Sequence, residues 1–196
     1  KETFATTGPR MKVRLFAGYD LDGSMLTSLA GIADAYRRGV SMGSELHADG
    51  ERAPTLLAWA MRDPLSAPLQ RLQIVKGWIE NEEPQERVYD VACSDGLSVD
   101  PATNRCPDNG ATVDITNCKT SASRGAAELK ATWLDPDFDA KQQAFYYVRV
   151  LENPTCRWST WDAVRAGVSP RPDLHATLQE RAWSSPIWFK PEDKGN

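Results

Sequence analysis

The sequence predicts a mainly β protein: an antiparallel β-sandwich of about seven or more strands with one short helix and long disulfide-tethered loops. Three observations carry this reading. Apolar segments of strand length recur along the chain, alternating with polar residues or running continuously. The connections between them are rich in Pro, Gly and Asp. A single segment places its apolar residues at helical spacing.

The first strand is predicted over Met11–Gly18, where Met11, Val13 and Leu15 point one way and Lys12 and Arg14 the other. A helix follows over Met25–Arg38, with Leu26, Leu29, Ile32, Ala33 and Tyr36 on one stripe and Gly39 as its stop. Thr55–Met61 (T-L-L-A-W-A-M) is continuously apolar, which suits a strand buried on both faces. Arg71–Ile79 alternates, with Leu72, Ile74 and Trp78 on one face and Arg71 and Gln73 on the other. Arg87–Cys93 ends at the turn Ser94-Asp95-Gly96. Ala126–Leu134 sets Leu129, Ala131 and Trp133 against Glu128, Lys130 and Thr132. Ala144–Leu151 (A-F-Y-Y-V-R-V-L) has the highest β-propensity of the chain. Trp183–Phe189 is a last strand that Pro186 confines to an edge or a bulge.

Two long connections remain. Asp95–Ala122 carries two of the cysteines, and a loop that long needs cross-links to stay ordered. Pro154–His175 reads as a second extended excursion with Trp158 and Trp161 in it. The polar tail Lys190–Asn196 is expected to fray. The length of 196 residues suits one domain, residues 1–196, with its own core.

Charge and composition exclude several function classes. Lys plus Arg is 23 and Asp plus Glu is 27, a net charge of −4, which gives no electrostatic footprint for nucleic acid. A composition of 41% hydrophobic and 26% charged residues argues against disorder, and no segment is long and apolar enough to span a membrane. Two histidines are too few for a histidine-rich metal cage. The chain opens at Lys1 without Met or an apolar signal segment, as a processed chain or a piece of a longer one would.

Cys93, Cys106, Cys118 and Cys156 form no C-x-x-C pair, which argues against zinc. Two disulfides in an oxidising compartment are the favoured reading, against four buried free thiols. Placement on the expected strands favours Cys93–Cys106 with Cys118–Cys156. The pairing Cys93–Cys118 with Cys106–Cys156 stays open.

Candidate chemistry is sparse. Asp135, Asp137 and Asp139 alternate in D-P-D-F-D and form a weak calcium site, but a turn in which the carboxylates accept backbone N–H groups is the stronger reading. Thr6-Thr7-Gly8-Pro9-Arg10 offers hydroxyls and a guanidinium to an anion, or else simply leads into the first strand. Ser44 near His47 and Thr177 near His175 lack the remaining parts of a catalytic triad, and no G-x-S-x-G occurs. No catalytic residue is assigned. Trp158 and Trp161, three apart, either stack on a carbohydrate or anchor a loop. Small residues and Met42 in Gly39–Leu46 either line a crevice or simply form the connector that closes the helix.

Several strings together resemble one family: T-F-A-T-T-G-P-R from Thr3, L-Q-I-V-K-G-W from Leu72, V-Y-D-V-A from Val88, W-L-D-P-D-F-D from Trp133, A-F-Y-Y-V-R-V-L-E from Ala144 and Q-E-R-A-W-S-S-P-I-W from Gln179. They look like the C-terminal portion of the bacterial family catalogued as domain of unknown function 3604. Its longer members resemble metallohydrolases of the polymerase and histidinol phosphatase-like class, in the carbaryl-hydrolase-like branch. The resemblance implies a parent with an N-terminal metal-binding barrel, export to the periplasm or outside the cell, and a divalent metal in the barrel. This chain has no H-x-H and no Asp-x-His segment of the kind that closes such a metal site. The expectation is therefore a non-catalytic β-rich domain, with no cofactor of its own, that packs on the preceding hydrolase domain of the same polypeptide. Arg10, Met42, Trp158 and Trp161 are the expected ligand or interdomain contacts. The alternative is a free-standing β-sandwich that binds carbohydrate or a cell-envelope partner.

Overall fold

Period-two alternation places Met11, Val13 and Leu15 inside, each at most 2% exposed, and the same rule builds most of the chain. The computed structural model describes residues 1–192. Its strands are, in order, β1 (Phe4–Thr6), β2 (Lys12–Gly18), β3 (Val40–Ser41), β4 (Glu45–His47), β5 (Thr55–Met61), β6 (Leu69–Glu80), β7 (Glu83–Cys93), β8 (Val113–Asp114) and β9 (Lys119–Thr120). There follow β10 (Glu128–Leu134), β11 (Ala144–Glu152), β12 (Thr155–Cys156), β13 (Thr177–Leu178), β14 (Arg181–Ser184) and β15 (Ile187–Lys190). The helices are α1 (Leu29–Arg38) and α2 (Trp158–Ala166).

Two sheets face each other. The smaller runs β10-β5-β2-β3 and is antiparallel throughout. The larger centres on β11, which pairs along one edge with β6 and, through it, β7. Along its other edge it pairs first with β15 and then with β14. β1 extends the sheet beyond β14, and β4 lies parallel to β15. Between the sheets, Val13, Leu15, Leu56 and Ala58 meet Leu72, Ile74, Val148 and Val150. This is the predicted sandwich.

A helical layer covers the other face of the small sheet. Phe16 and Leu57 pack there against Met25, Leu26, Ile32 and Ala35. That explains the continuous apolar run of β5, which is buried on both sides. The predicted helix over Met25–Arg38 is divided: Gly23–Thr27 is a 3₁₀ turn, and α1 begins only at Leu29. Ser28 between them is extended, and its hydroxyl accepts the Gly31 N–H at 3.0 Å.

Pro186 acts as a break within the last strand. β14 and β15 flank it, and the Val148 N–H of β11 donates to the Ser184 hydroxyl at 2.9 Å. The segment is nevertheless paired on both sides, so the constraint is met by interruption and not by an edge position.

The excursion Pro154–His175 is corrected by the structure, because it contains α2 and the molecule has two helices among its described residues. α2 ends on Gly167 at φ +66°, whose N–H caps Ala163 and Val164 carbonyls. The loop Asp95–Ala122 holds the small hairpin β8–β9. Disulfides join Cys93 to Cys106 and Cys118 to Cys156, with Cα atoms 5.6 and 5.5 Å apart. Of the tail Lys190–Asn196, residues 193–196 lie outside the described residues, and Lys190 belongs to β15.

Candidate functional site

The sequence-predicted site residues fall in separate places. Trp158 and Trp161 sit three apart at the start of α2 and are 66% and 38% exposed. The buried side of that helix is Thr160, whose hydroxyl donates to the Ala176 carbonyl at 2.8 Å, with Ala163. Trp158 is the more exposed of the two, and Trp161 is partly covered. They line a cleft of about 410 Å³ whose other walls are Pro9, Leu65, Ser66, Glu180 and the Cys118–Cys156 disulfide.

Behind Ser66 lies Glu152, fully buried at the end of β11. The Ser66 hydroxyl donates to its Oε2 at 2.6 Å, and its Oε1 has no hydrogen-bond partner among the described residues. Burial, aided by the nearby Glu180 and Asp63 charges, pushes this carboxyl up from 4.5 to about 7. Thr6–Arg10 is no anion cradle. The Thr7 hydroxyl donates to the Glu180 carboxylate, so negative charge already stands where an anion would bind. Thr7 also pairs with the Arg181 backbone, its N–H donating at 3.0 Å. The Arg10 side chain is 78% exposed, while its backbone N–H donates to Asp63 at 2.8 Å. That bond and one from the Leu65 N–H hold Asp63 below the usual carboxylate range.

Met42 is buried at the floor of another cleft, of about 390 Å³, with Phe4, Tyr36, Trp59 and Met61 around it. Glu2 closes one side and accepts the Tyr36 hydroxyl.

The Asp135–Asp139 segment does not fit a cation. Asp135 is buried, and its Oδ2 takes Lys76 Nζ at 2.5 Å and the Tyr146 hydroxyl at 2.8 Å. Asp137 Oδ2 takes Arg87 at 2.5 Å and the Tyr89 hydroxyl at 2.6 Å. Asp135 and Asp139 accept the Asp137 and Lys141 backbone N–H groups. These are the turn contacts the residue pattern favours, and the donors occupy the oxygens a metal would need. Among the described residues no cluster of three His, Cys, Asp or Glu could hold a metal ion. Burial and the Asp135 charge push the Tyr146 hydroxyl far up.

His47 is exposed on β4, and Ser44 makes backbone contacts, its N–H donating to the Ser41 carbonyl at 3.2 Å and its carbonyl accepting the Trp188 N–H at 3.0 Å. Neither His47 nor His175 has a side-chain hydrogen bond to a hydroxyl among the described residues.

Two groups of residues escaped the sequence reading. Lys76, 2% exposed, lies between the sheets with its ammonium 5.3 Å from the Trp78 ring. Its signal was present, because alternation places it on the face of Leu72 and Ile74. The second group is a cleft of about 620 Å³ at the β6–β7 hairpin end of the large sheet, lined by Trp78, Gln85, Glu86, Gln142, Phe145 and Trp188 among others. The two hairpin residues, Asn81 and Glu82, have φ of 52° and 66°, a tight turn that extends both strands to this end.

Together the two facing sheets, the helical layer and the two bridges define a β-sandwich, and the three clefts described above are walled in part by aromatic side chains. The family described as Protein of unknown function (DUF3604) matches residues 1–191, and the chain belongs to that family. No curated protein and no solved structure matches it.

Proposed function

We propose that this chain is the non-catalytic β-rich domain of a longer exported protein, packed on a preceding metal-dependent hydrolase domain of the same polypeptide and shaping access to its site. The observation that carries the reading is the Met42 cleft. Phe4, Tyr36 and Met61 are 45%, 42% and 42% exposed, and all three converge there. Isolated exposed apolar residues are ordinary, but a cluster around one concavity suits a protein partner. The first residues of the chain lie beside it. The Lys1 carbonyl packs on Gly43, where an added Cβ would stand 2.1 Å from it. The two disulfides support an oxidising compartment. No helix among the described residues is long and apolar enough to cross a membrane.

The test uses the full natural polypeptide. Phe4→Ser with Met61→Ser should expose the junction to limited proteolysis and separate two calorimetric transitions. The same double substitution in the present chain should cost about 1–3 kcal/mol, since both side chains are partly covered, and leave a single folded transition. A junction that stays equally protected refutes the docking.

A further inference from the structure

We propose that the cleft at the β6–β7 hairpin end binds a neutral oligosaccharide. The proposal uses none of the residues of the Met42 cleft and is independent of the docking reading. It starts from register. Trp188, Phe145, Gly77 and Glu86 stand directly opposite one another across β15, β11, β6 and β7, so they form one row on one face of the large sheet.

Gly77 shapes that row. An added Cβ there would lie 2.2–2.8 Å from the far edge of the Phe145 ring. The far edge of the ring therefore occupies the space above the glycine, which any larger residue would deny it. Its neighbour Tyr147, two residues on along the same face of β11, is nearly parallel to it, at 14° and 6.3 Å between centroids. Trp188, 42% exposed, flanks it on the other side at 5.2 Å. Phe145 and Trp188, tilted 55° to each other, wall the cleft, and Tyr147 continues the aromatic row along β11.

The rim is polar. Gln85, Glu86, Lys141, Gln142 and Gln143 line the cleft, and none of their side chains has a hydrogen bond among the described residues. Glu86 and Lys141 carry opposite charges, so the cleft favours neither an anion nor a cation. A purely apolar ligand would strip water from these amides without replacing its hydrogen bonds, which is costly. A pyranose offers both surfaces required: an apolar C–H face for the rings and a rim of hydroxyls for amide and carboxylate groups. The cleft volume of about 620 Å³ falls inside the range of roughly 300–1,000 Å³ usual for small-molecule sites.

The experiment is a ¹⁵N-resolved NMR titration of this chain with three soluble probes: cellotetraose, maltotetraose and tetra-N-acetylchitotetraose. At least one should give saturable shifts in the Trp188 and Trp78 indole N–H signals and in the Gly77 and Phe145 amides. Trp188→Ala should weaken that probe about tenfold. Glu86→Ala and Gln143→Ala alter exposed side chains that hold nothing in the fold, and each should weaken it severalfold. Trp161→Ala should leave it unchanged. Three silent probes overturn the proposal. So do shifts centred on Trp158 and Trp161, or an affinity indifferent to Trp188, Glu86 and Gln143 together.

Discussion

Glu152→Gln should abolish a pH dependence of stability that the buried carboxyl imposes. In the unfolded chain this group ionises near 4.5, and in the fold near 7. The folded value is the higher one, so the fold prefers the protonated form. Its contribution is fully present below about pH 4.5 and is lost as pH rises to about 7. The gap of about 2.5 units, at about 1.36 kcal/mol each, gives a loss of about 3 kcal/mol. That is a large part of a typical stability of about 5–15 kcal/mol. Glutamine keeps the shape and an acceptor for the Ser66 hydroxyl, and it never ionises. Urea unfolding of both proteins at half-unit steps from pH 4.5 to 8 reads the effect. The exposed histidines are common to both chains and cancel in the difference. The two should match near pH 4.5, and the variant should be about 3 kcal/mol more stable at pH 8. Parallel curves across the whole range would mean that Oε1 is solvated or paired and that the reasoning is wrong.

Two further outcomes follow from the same structure. Lys76→Met should cost about 3–5 kcal/mol in urea unfolding, because it strands the buried Asp135 carboxylate. Adding Asp135→Asn should recover part of that loss, and strict additivity of the two would show that the pair is not coupled. Replacing Cys118 and Cys156 by Ser opens a loop of sequence separation 38 and should cost about 4 kcal/mol, whereas Cys93 and Cys106, 13 apart, should cost about 3 kcal/mol. Equal thermal unfolding of reduced and oxidised wild-type chain would contradict both figures.

Much of the fold was legible because alternation is local. The inward faces of β2 and β10 follow from two-residue periods, β11 stands out by its β-propensity, and β5 runs Thr55–Met61, the predicted bounds. The helix α2 was not legible, because W-S-T-W-D-A-V-R-A keeps its tryptophans outward and Arg157 supplies no capping side chain. The candidate sites were less legible still. Arg10, Met42, Trp158 and Trp161 do not share one site: Met42 lies under one cleft, while Trp158 and Trp161 wall another.

The amino-acid order by itself determined the sandwich class, the inward and outward faces of the main strands, and the presence of cysteines in the two long connections. Each of these depends on residues a few positions apart. Only tertiary structure decided that Lys76 meets Asp135, that Glu152 is sealed behind Ser66, and that Trp188 and Phe145 join across Gly77. Those neighbours lie 59, 86 and 43 residues apart or more along the chain, by their numbers. Which strand lies beside which, and in what register, is settled by packing the whole core at once, and that choice creates both the buried charges and the clefts.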